Sequence, residues 1–442
     1  MNVLIVNDNL MGEHNAVGYS MKNMLYGMPD VNFLQYCVDY KPNYHAKMVD
    51  SIFCKKTDSL SFVLKELMAK FSQWKRKLKQ MLKKKTIQTP AYRGDKPSFE
   101  SQVSPMITAD AYSAKGEFLR GVFYTLPCRV SSENLRKVRE FKPDVIYTLA
   151  ENIRVIKFAI KLSKKLGIPI VYHGMDDWKE TAFTKAKYLK PFRSILYSQF
   201  EKLHKHSVEN IAIGEKMAEY YSKTYGTPYT YACNCIQEYN DEPYVPNTDS
   251  MTIVFSGGLH LHRGDVLQEV AGVIEELNGE GCHISMKILA PSNHLLGYKG
   301  AFEKFPHTEC RAYGFPQTDK MEQLKAADVL LHAEASGSSD VQYAKYSFST
   351  KLPEYFAIGR CVLAYGPKEL GSIKYVEDHN CGYVAENIEA LKTYLKKLYE
   401  NPAELESFAE SNVKLGRECF SREAVQETIY GALKRSAETY VE

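Results

Sequence analysis

No apolar run in this 442-residue chain approaches the ~20 residues that cross a bilayer as a helix. The opening Met1-Asn2-Val3-Leu4-Ile5-Val6-Asn7-Asp8 has no basic region ahead of a long apolar stretch, so no signal peptide is expected. No CxxC pair occurs; the ten cysteines are scattered, with Cys233 and Cys235 the only close pair. That pattern argues against a zinc site and for the reduced thiols of a cytoplasmic protein. The dinucleotide fingerprint GxGxxG is missing, and so is the phosphate loop GxxxxGK followed by Ser or Thr. Glycine (26) and proline (18) are too sparse for collagen-like or low-complexity sequence. What remains is a composition of ordinary globular kind, 44% hydrophobic and 25% charged, long enough for two or three domains of the usual ~100–200 residues.

Charge is unevenly placed. The block 55–85, which opens on Lys55 and closes on Lys85, holds eleven Lys or Arg against Asp58 and Glu66, a net +9. The rest of the +4 chain therefore carries −5. Within the block Leu64, Leu67, Phe71, Trp74, Leu78 and Met81 recur at spacings of three and four, which lines them along one helical face, while Lys70, Lys75, Lys77 and Lys84 fall mostly elsewhere. A basic amphipathic helix with an aromatic anchor suits an anionic membrane surface. It equally suits a helix packed on its own domain with a solvated basic back. Nucleic acid fits less well, because no binding motif accompanies the charge.

Short apolar runs at 3–6, 32–38, 144–149, 168–173 and 210–213 alternate with helical patterns such as 153–166, 195–206 and 215–225. After the polar, two-proline segment 238–250 the alternation restarts, with runs at 252–255, 284–289, 310–313, 328–332, 361–364 and 382–385. Continuous apolar strands need cover on both faces, so parallel strands with crossover helices are predicted. The expected architecture is α/β, two Rossmann-like domains facing across a cleft. Residues 1–240 form the first, with a basic insertion over about 50–118; residues 250–418 form the second; 419–442 form a C-terminal helix that packs back on the first.

Two segments of the second half carry chemistry. Ile253-Val-Phe-Ser-Gly-Gly-Leu-His-Leu-His-Arg-Gly-Asp265 runs from a strand through a glycine turn into a helix. Gly257 and Gly258 let backbone approach a ligand, the helix start presents unpaired amides, and Arg263 adds a guanidinium fork suited to phosphate. A turn-closing role explains the glycines equally. In the second segment, Ser349 and Thr350 are candidate N-caps, placing Lys351, Pro353 and Glu354 in a first helical turn. A lysine there opposes the helix dipole unless an anion shares the site. Glu354 also fits a plain capping-box role. Together the segments offer two cations and two helix N-termini to one diphosphate.

The strand–Gly–Gly turn with Arg263, the run Lys351-Leu-Pro-Glu-Tyr-Phe-Ala-Ile-Gly-Arg-Cys-Val-Leu-Ala364 and the later Asp378-His-Asn-Cys-Gly-Tyr-Val384 resemble the C-terminal domain of a GT-B glycosyltransferase of the family-four type. The likeness is good over 250–400 and looser over 140–235. It implies two Rossmann-like domains and retaining transfer of a sugar from a nucleotide diphosphate, here a UDP- or GDP-sugar. By position, it implies Gly257 and Arg263 at the phosphate turn, Lys351 near the diphosphate, Glu354 on the donor ribose, and Tyr313 and Gly314 around the base. Two positions depart from it: Gly258 stands where an arginine is common, and Tyr346 where a glutamate grips the donor sugar.

The N-terminal half is expected to supply the acceptor wall, through Gly12, His14 and Gly18 of the first loop and Asp176 after the 168–173 strand. Asp176 and Asp177 suit either acceptor hydroxyls or helix capping. His173, at a strand end, is read by the resemblance as a donor contact, with a purely structural histidine as the alternative. No paired carboxylate suggests a nucleophile and no DxD pair adjoins the phosphate motifs, so a front-face reaction without a required metal is expected. The expected acceptor is a glycan or lipid-linked glycan in cell-surface polysaccharide synthesis, at the cytoplasmic face of a membrane. The competing expectation is a catalytically weak nucleotide-sugar-binding or scaffold protein of the same fold, favoured by Gly258 and Tyr346.

Overall fold

Val3, Leu4, Ile5 and Val6 of the first strand, β1 (Asn2–Asn7), are all fully buried, so both faces of that strand need cover. The computed structural model provides it with two parallel sheets flanked by helices. It describes residues 1–12, 15–39, 48–55, 58–64, 67, 68, 70, 74, 113–236, 238–240, 242–313 and 318–439. Most of the basic block, His14 and Gly314 lie outside these described residues.

Besides β1, the first sheet contains β2 (Asn32–Cys37), β3 (Asp50–Phe53), β4 (Val145–Thr148), β5 (Ile170–Gly174), β6 (Ser207–Ala212) and β7 (Tyr229–Tyr231), in the order β3-β2-β1-β4-β5-β6-β7. The second contains β8 (Met251–Ser256), β9 (Ile284–Pro291), β10 (Thr308–Tyr313), β11 (Val329–Ala333), β12 (Cys361–Tyr365) and β13 (Gly382–Ala385), in the order β10-β9-β8-β11-β12-β13. Both sheets turn back on themselves at their first strand, between β1 and β4 and between β8 and β11. In an open parallel sheet such a reversal opens a crevice at the carboxyl ends. The end of β8 is the glycine turn.

The sheet reaches into the expected insertion. β3 pairs with β2 in register, Tyr36 against Ile52, and the helix Ala114–Thr125 begins before residue 118. Only Ile52 of β3 is buried, so this polar edge strand lacks the apolar run by which its neighbours are read. β7 escaped notice likewise: it is three half-buried residues at the other edge.

The C-terminal helix Arg422–Thr439 lies against the first sheet, with Val425, Ile429, Ala432 and Leu433 buried among Val3, Ile5, Tyr147, Val171 and Ile211. The chain thus crosses between domains twice, and the crossings touch: Ile236 N–H donates to the Phe420 carbonyl at 2.8 Å. The helix belongs energetically to the domain it covers. Ile429→Ala is expected to cost about 2–5 kcal/mol by leaving a cavity. Hydrogen exchange reads it as lost protection in β1, β4 and β6 while β8, β11 and β12 stay protected.

Candidate functional site

Where β8 ends, Ser256, Gly257 and Gly258 open one side of a cleft of about 900 Å³ between the domains. Gly257 has φ +153, and a Cβ on it would stand 2.7 Å from the Lys351 ammonium. The turn is therefore glycine because the lysine occupies the adjoining space. Lys351 begins the helix Lys351–Ile358, which Tyr355 fastens by accepting from Ser256 N–H at 3.1 Å. Arg263 begins the helix Arg263–Gly279, directly after Leu261 and His262, both with left-handed backbone. Strain of that kind persists only where surrounding structure enforces it.

Charge at this edge is unbalanced. The buried Glu334, one residue past β11, holds Arg263 as a fork: Nε donates at 2.9 Å and Nη2 at 2.8 Å. Burial opposes ionisation of Glu334, but Arg263, His332 and Lys351 outweigh it and keep its pKa below the usual range. Arg263 Nη1 donates to His260 Nε2 at 3.0 Å. Of the five guanidinium N–H groups three are thereby used, leaving two. The Lys351 ammonium, buried and 4.6 Å from the Phe255 ring centroid, has no hydrogen-bond partner. Burial first, and Arg263 second, push its pKa down to about 7. Ser256 Oγ beside it is also buried and unpartnered. Buried polar atoms without partners need an explanation, and a bound anion is one.

The other donor-side candidates divide. Ser349, Thr350, Glu354 and Tyr313 line the cleft with Gly257, Gly258, Arg263 and Lys351. Thr350 makes no side-chain cap bond; Ser349 Oγ accepts weakly from Lys351 N–H at 3.4 Å. Glu354 is held by Lys320 through both oxygens, at 2.7 and 2.8 Å. The space beside Gly258 is filled, since a Cβ there would meet the rings of His260 at 2.6 Å and His294 at 3.0 Å. Tyr346 stacks on Tyr220 of the first domain, 4.2 Å between ring centroids.

On the acceptor side the structure corrects three expectations. His173 is fully buried in β5, and both ring nitrogens are engaged inside the first domain. Tyr147 donates to Nδ1 at 2.7 Å, and Nε2–H donates to the Ala232 carbonyl at 2.9 Å. Burial lowers its pKa to about 4 and keeps it neutral, so it is structural. Gly12 (φ +75) turns its open side to Met48, and its N–H donates to the Gly18 carbonyl at 2.8 Å. These glycines close the loop on itself; Tyr19, Ser20 and Asn23 of the next helix line the cleft in their place. Asp176 does face the cleft, its pKa raised to about 6 by burial and by Asp177. Asp177 is the cap, accepting from Glu180 N–H and from the Tyr221 hydroxyl.

Sequence reading missed Glu334, His260 and Lys320. The first left a faint signal: in Leu331-His332-Ala333-Glu334 a charged residue directly follows a strand that is apolar but for His332.

Neither a protein-family model nor a curated protein matches the sequence. Solved structures do. HepE of Anabaena, crystallised with UDP, superposes with a TM-score of 0.59 at 10% identity, over 98% of this chain and 100% of that one. The chain has the GT-B glycosyltransferase fold. Sucrose-phosphate synthase of Thermosynechococcus elongatus matches at 0.57 and 11% identity over 99% of both chains. Trehalose-6-phosphate synthase of Burkholderia multivorans matches at 0.57 and 10%, over 99% of this chain and 97% of that one.

Lys351 yields a signed prediction. An unfolded lysine keeps its proton to about 10.4, so between about pH 7 and 10 the unfolded chain binds the extra proton and stability rises with pH. Lys351→Met should remove that rise and stabilise the fold at pH 7 by on the order of 2–5 kcal/mol. The same change should abolish the thermal shift that pyrophosphate gives the parent. Denaturant titration from pH 6 to 10 and melting with pyrophosphate check both.

Proposed function

We propose that this GT-B chain is a glycosyltransferase that moves a sugar from a UDP- or GDP-sugar to a glycan or lipid-linked glycan acceptor, with retention. One observation carries the reading: the buried, unpartnered Lys351 ammonium at a helix start, beside Arg263 and the glycine turn, facing the interdomain cleft. The UDP and UDP-glucose complexes of HepE lend support to a nucleotide-sugar donor.

As the sugar–oxygen bond breaks, negative charge grows on the leaving diphosphate while the sugar becomes oxocarbenium-like. Lys351 and the two remaining Arg263 N–H groups meet that charge, with both helix N-termini adding to it. Such groups favour the transition state over the bound donor, which is what accelerates the step. In a front-face reaction the donor phosphate takes the acceptor proton. Glu354 serves the ribose hydroxyls, Tyr313 and Gly314 the base, and Asp176 an acceptor hydroxyl. No step needs a metal, because protein cations carry the charge. Closure of the domains excludes water and limits hydrolysis.

Thermal-shift screening of UDP- and GDP-sugars, then hydrolysis or transfer assays with the donor found, tests this. Lys351→Met should lower turnover about 10²–10³-fold, as for loss of one oxyanion donor. A second reading rests on the Tyr346–Tyr220 stack, which puts a ring where the resemblance expects a sugar-gripping carboxylate. On that reading the chain binds a nucleotide sugar without transferring it. A parent protein that shifts with donor yet neither hydrolyses nor transfers it would decide for the second.

Among the described residues no helix is long and apolar enough to cross a membrane. The location we propose is peripheral, at the cytoplasmic face, with the basic block 55–85 on anionic lipid. The exposure of Leu67 (56%) and Trp74 (55%) amid that charge supports it. Leu67→Asp with Trp74→Asp should abolish co-sedimentation with anionic vesicles at low salt, and undiminished sedimentation would remove the proposed location.

A further inference from the structure

Two thiols of the first domain take no part in the donor chemistry, and the fold holds them together. Cys54 directly follows β3; its N–H donates to the Cys37 carbonyl at 3.1 Å and its side chain is 1% exposed. Cys128, partly exposed, lies 74 residues on, yet its Sγ is 3.9 Å from that of Cys54. Backbone bonds fix the approach. Ser59 and Cys128 form an antiparallel bridge, Arg129 N–H donates to the Asp58 carbonyl at 2.7 Å, and Leu60 N–H to the Pro127 carbonyl at 3.4 Å. The sulfurs therefore meet at the neck of the excursion that carries the basic block.

The two thiols are not equivalent. Basic side chains lie close to Cys128: Lys161 donates to its carbonyl at 3.5 Å, Lys157 to the Thr125 carbonyl at 3.4 Å, and Arg154 acts on the thiol through space, opposed by Asp8 and Asp58. The two sulfurs are in hydrogen-bond contact, and this contact, helped by Arg154, lowers the Cys128 thiol against the effect of burial. The same bond and burial push Cys54 up. A partly exposed thiol whose pKa a neighbouring thiol and a guanidinium lower is the reactive kind, and a second thiol in contact is placed to resolve its adduct.

We propose that Cys128 and Cys54 form a reversible redox modification site for a low-molecular-weight disulfide such as glutathione disulfide. The Cys128 thiolate attacks one sulfur of glutathione disulfide, breaks its S–S bond and expels one glutathione thiolate. Cys54 Sγ then attacks Cys128 Sγ, forms the internal disulfide and expels the second. Two protein thiols lose two electrons, one external disulfide becomes two thiols, and the two protons end on the two glutathione sulfurs. The protein sulfurs need only close from 3.9 Å to about 2 Å. The bridge ties the ends of the 55–127 excursion together.

The test uses the full native chain. Under glutathione disulfide, peptide mapping should find Cys54 linked to Cys128, and Cys54→Ser should accumulate glutathione on Cys128. Iodoacetamide on the parent at pH 7 needs no variant. Cys128 should react ~10-fold faster than the more exposed Cys310, whose thiol burial and Glu309 push up to about 11. Glutathionylation of Cys310 with Cys54 and Cys128 left reduced, or slower alkylation of Cys128 than of Cys310, overturns the proposal.

Discussion

A single carboxylate facing two cations at the carboxyl edge of the second sheet governs the rest. Glu334 forks Arg263 and leaves Lys351 uncompensated in a buried place. Like charges out of water repel, and an unpaired buried ion is strongly unfavourable. The arrangement persists because other contacts hold each member. Tyr355 bonds the end of β8 and the Leu331 carbonyl of β11, fixing the helix that bears Lys351. The fork fixes the plane of Arg263. The site is thus a stable frame around an unstable charge, and on the proposed function the donor diphosphate would supply the negative charge the frame lacks. Stability given up locally for function is expected of such sites.

What the sequence made legible follows from the same physics. Strands buried on both faces are continuous apolar runs, and those of the two sheet centres were readable nearly to their ends. The edge strands β3 and β7 were not, being only four and three residues long with one buried residue between them, whereas the six-residue edge strand β10 left a readable run at 310–313. Lys351 was legible through its conflict with the helix dipole. Its counterpart Glu334 was not: it lies 71 residues from Arg263, and no local pattern encodes that pairing. His173 was left between two roles for a different reason. A histidine at a strand end looks the same whether it faces a ligand or, as here, a tyrosine hydroxyl and a carbonyl within one domain. Gly12 and Gly18 marked a real turn, but a turn closed on itself.

The cleft depends on how the domains are joined. Two crossings lie side by side at Ile236 and Phe420, and Asn240 N–H donates to the Ala357 carbonyl at 3.0 Å, tying the linker to the helix that starts at Lys351. On the opposite lip, Glu215 bonds His379 at 3.0 Å and Tyr220 stacks on Tyr346. Behind that lip the domains share a buried apolar seam: Ile213 and Met217 of the first lie in one cluster with Phe348, Leu370 and Ile373 of the second. Gly214 stands so close to Phe348 that a Cβ on it would lie 2.8 Å from the Phe348 Cβ. The cleft is thus bounded by a small shared core as well as by the two crossings.

Gly258 and Tyr346, the two departures from the pattern this chain resembles, both become intelligible in space. At Gly258 a larger side chain would meet His260 and His294, which fill the space where the pattern has an arginine. Of these, His260 does not supply the arginine's charge. His260 accepts from Arg263, and burial together with Arg263, His294 and Lys351 lowers its pKa to about 4, so it stays neutral near pH 7. The glycine turn is left with Arg263 and Lys351 as its fixed cations, of which Lys351 is the unpaired one. At Tyr346 a carboxylate would stand near Asp177, Glu180 and Glu369, which act on that phenol electrostatically against Lys345. A tyrosine avoids adding a further negative charge to that lip, and its ring stacks across it. Neither departure adds a charge to the cleft, and Lys351 stays the buried ammonium that the fold leaves without a hydrogen-bond partner.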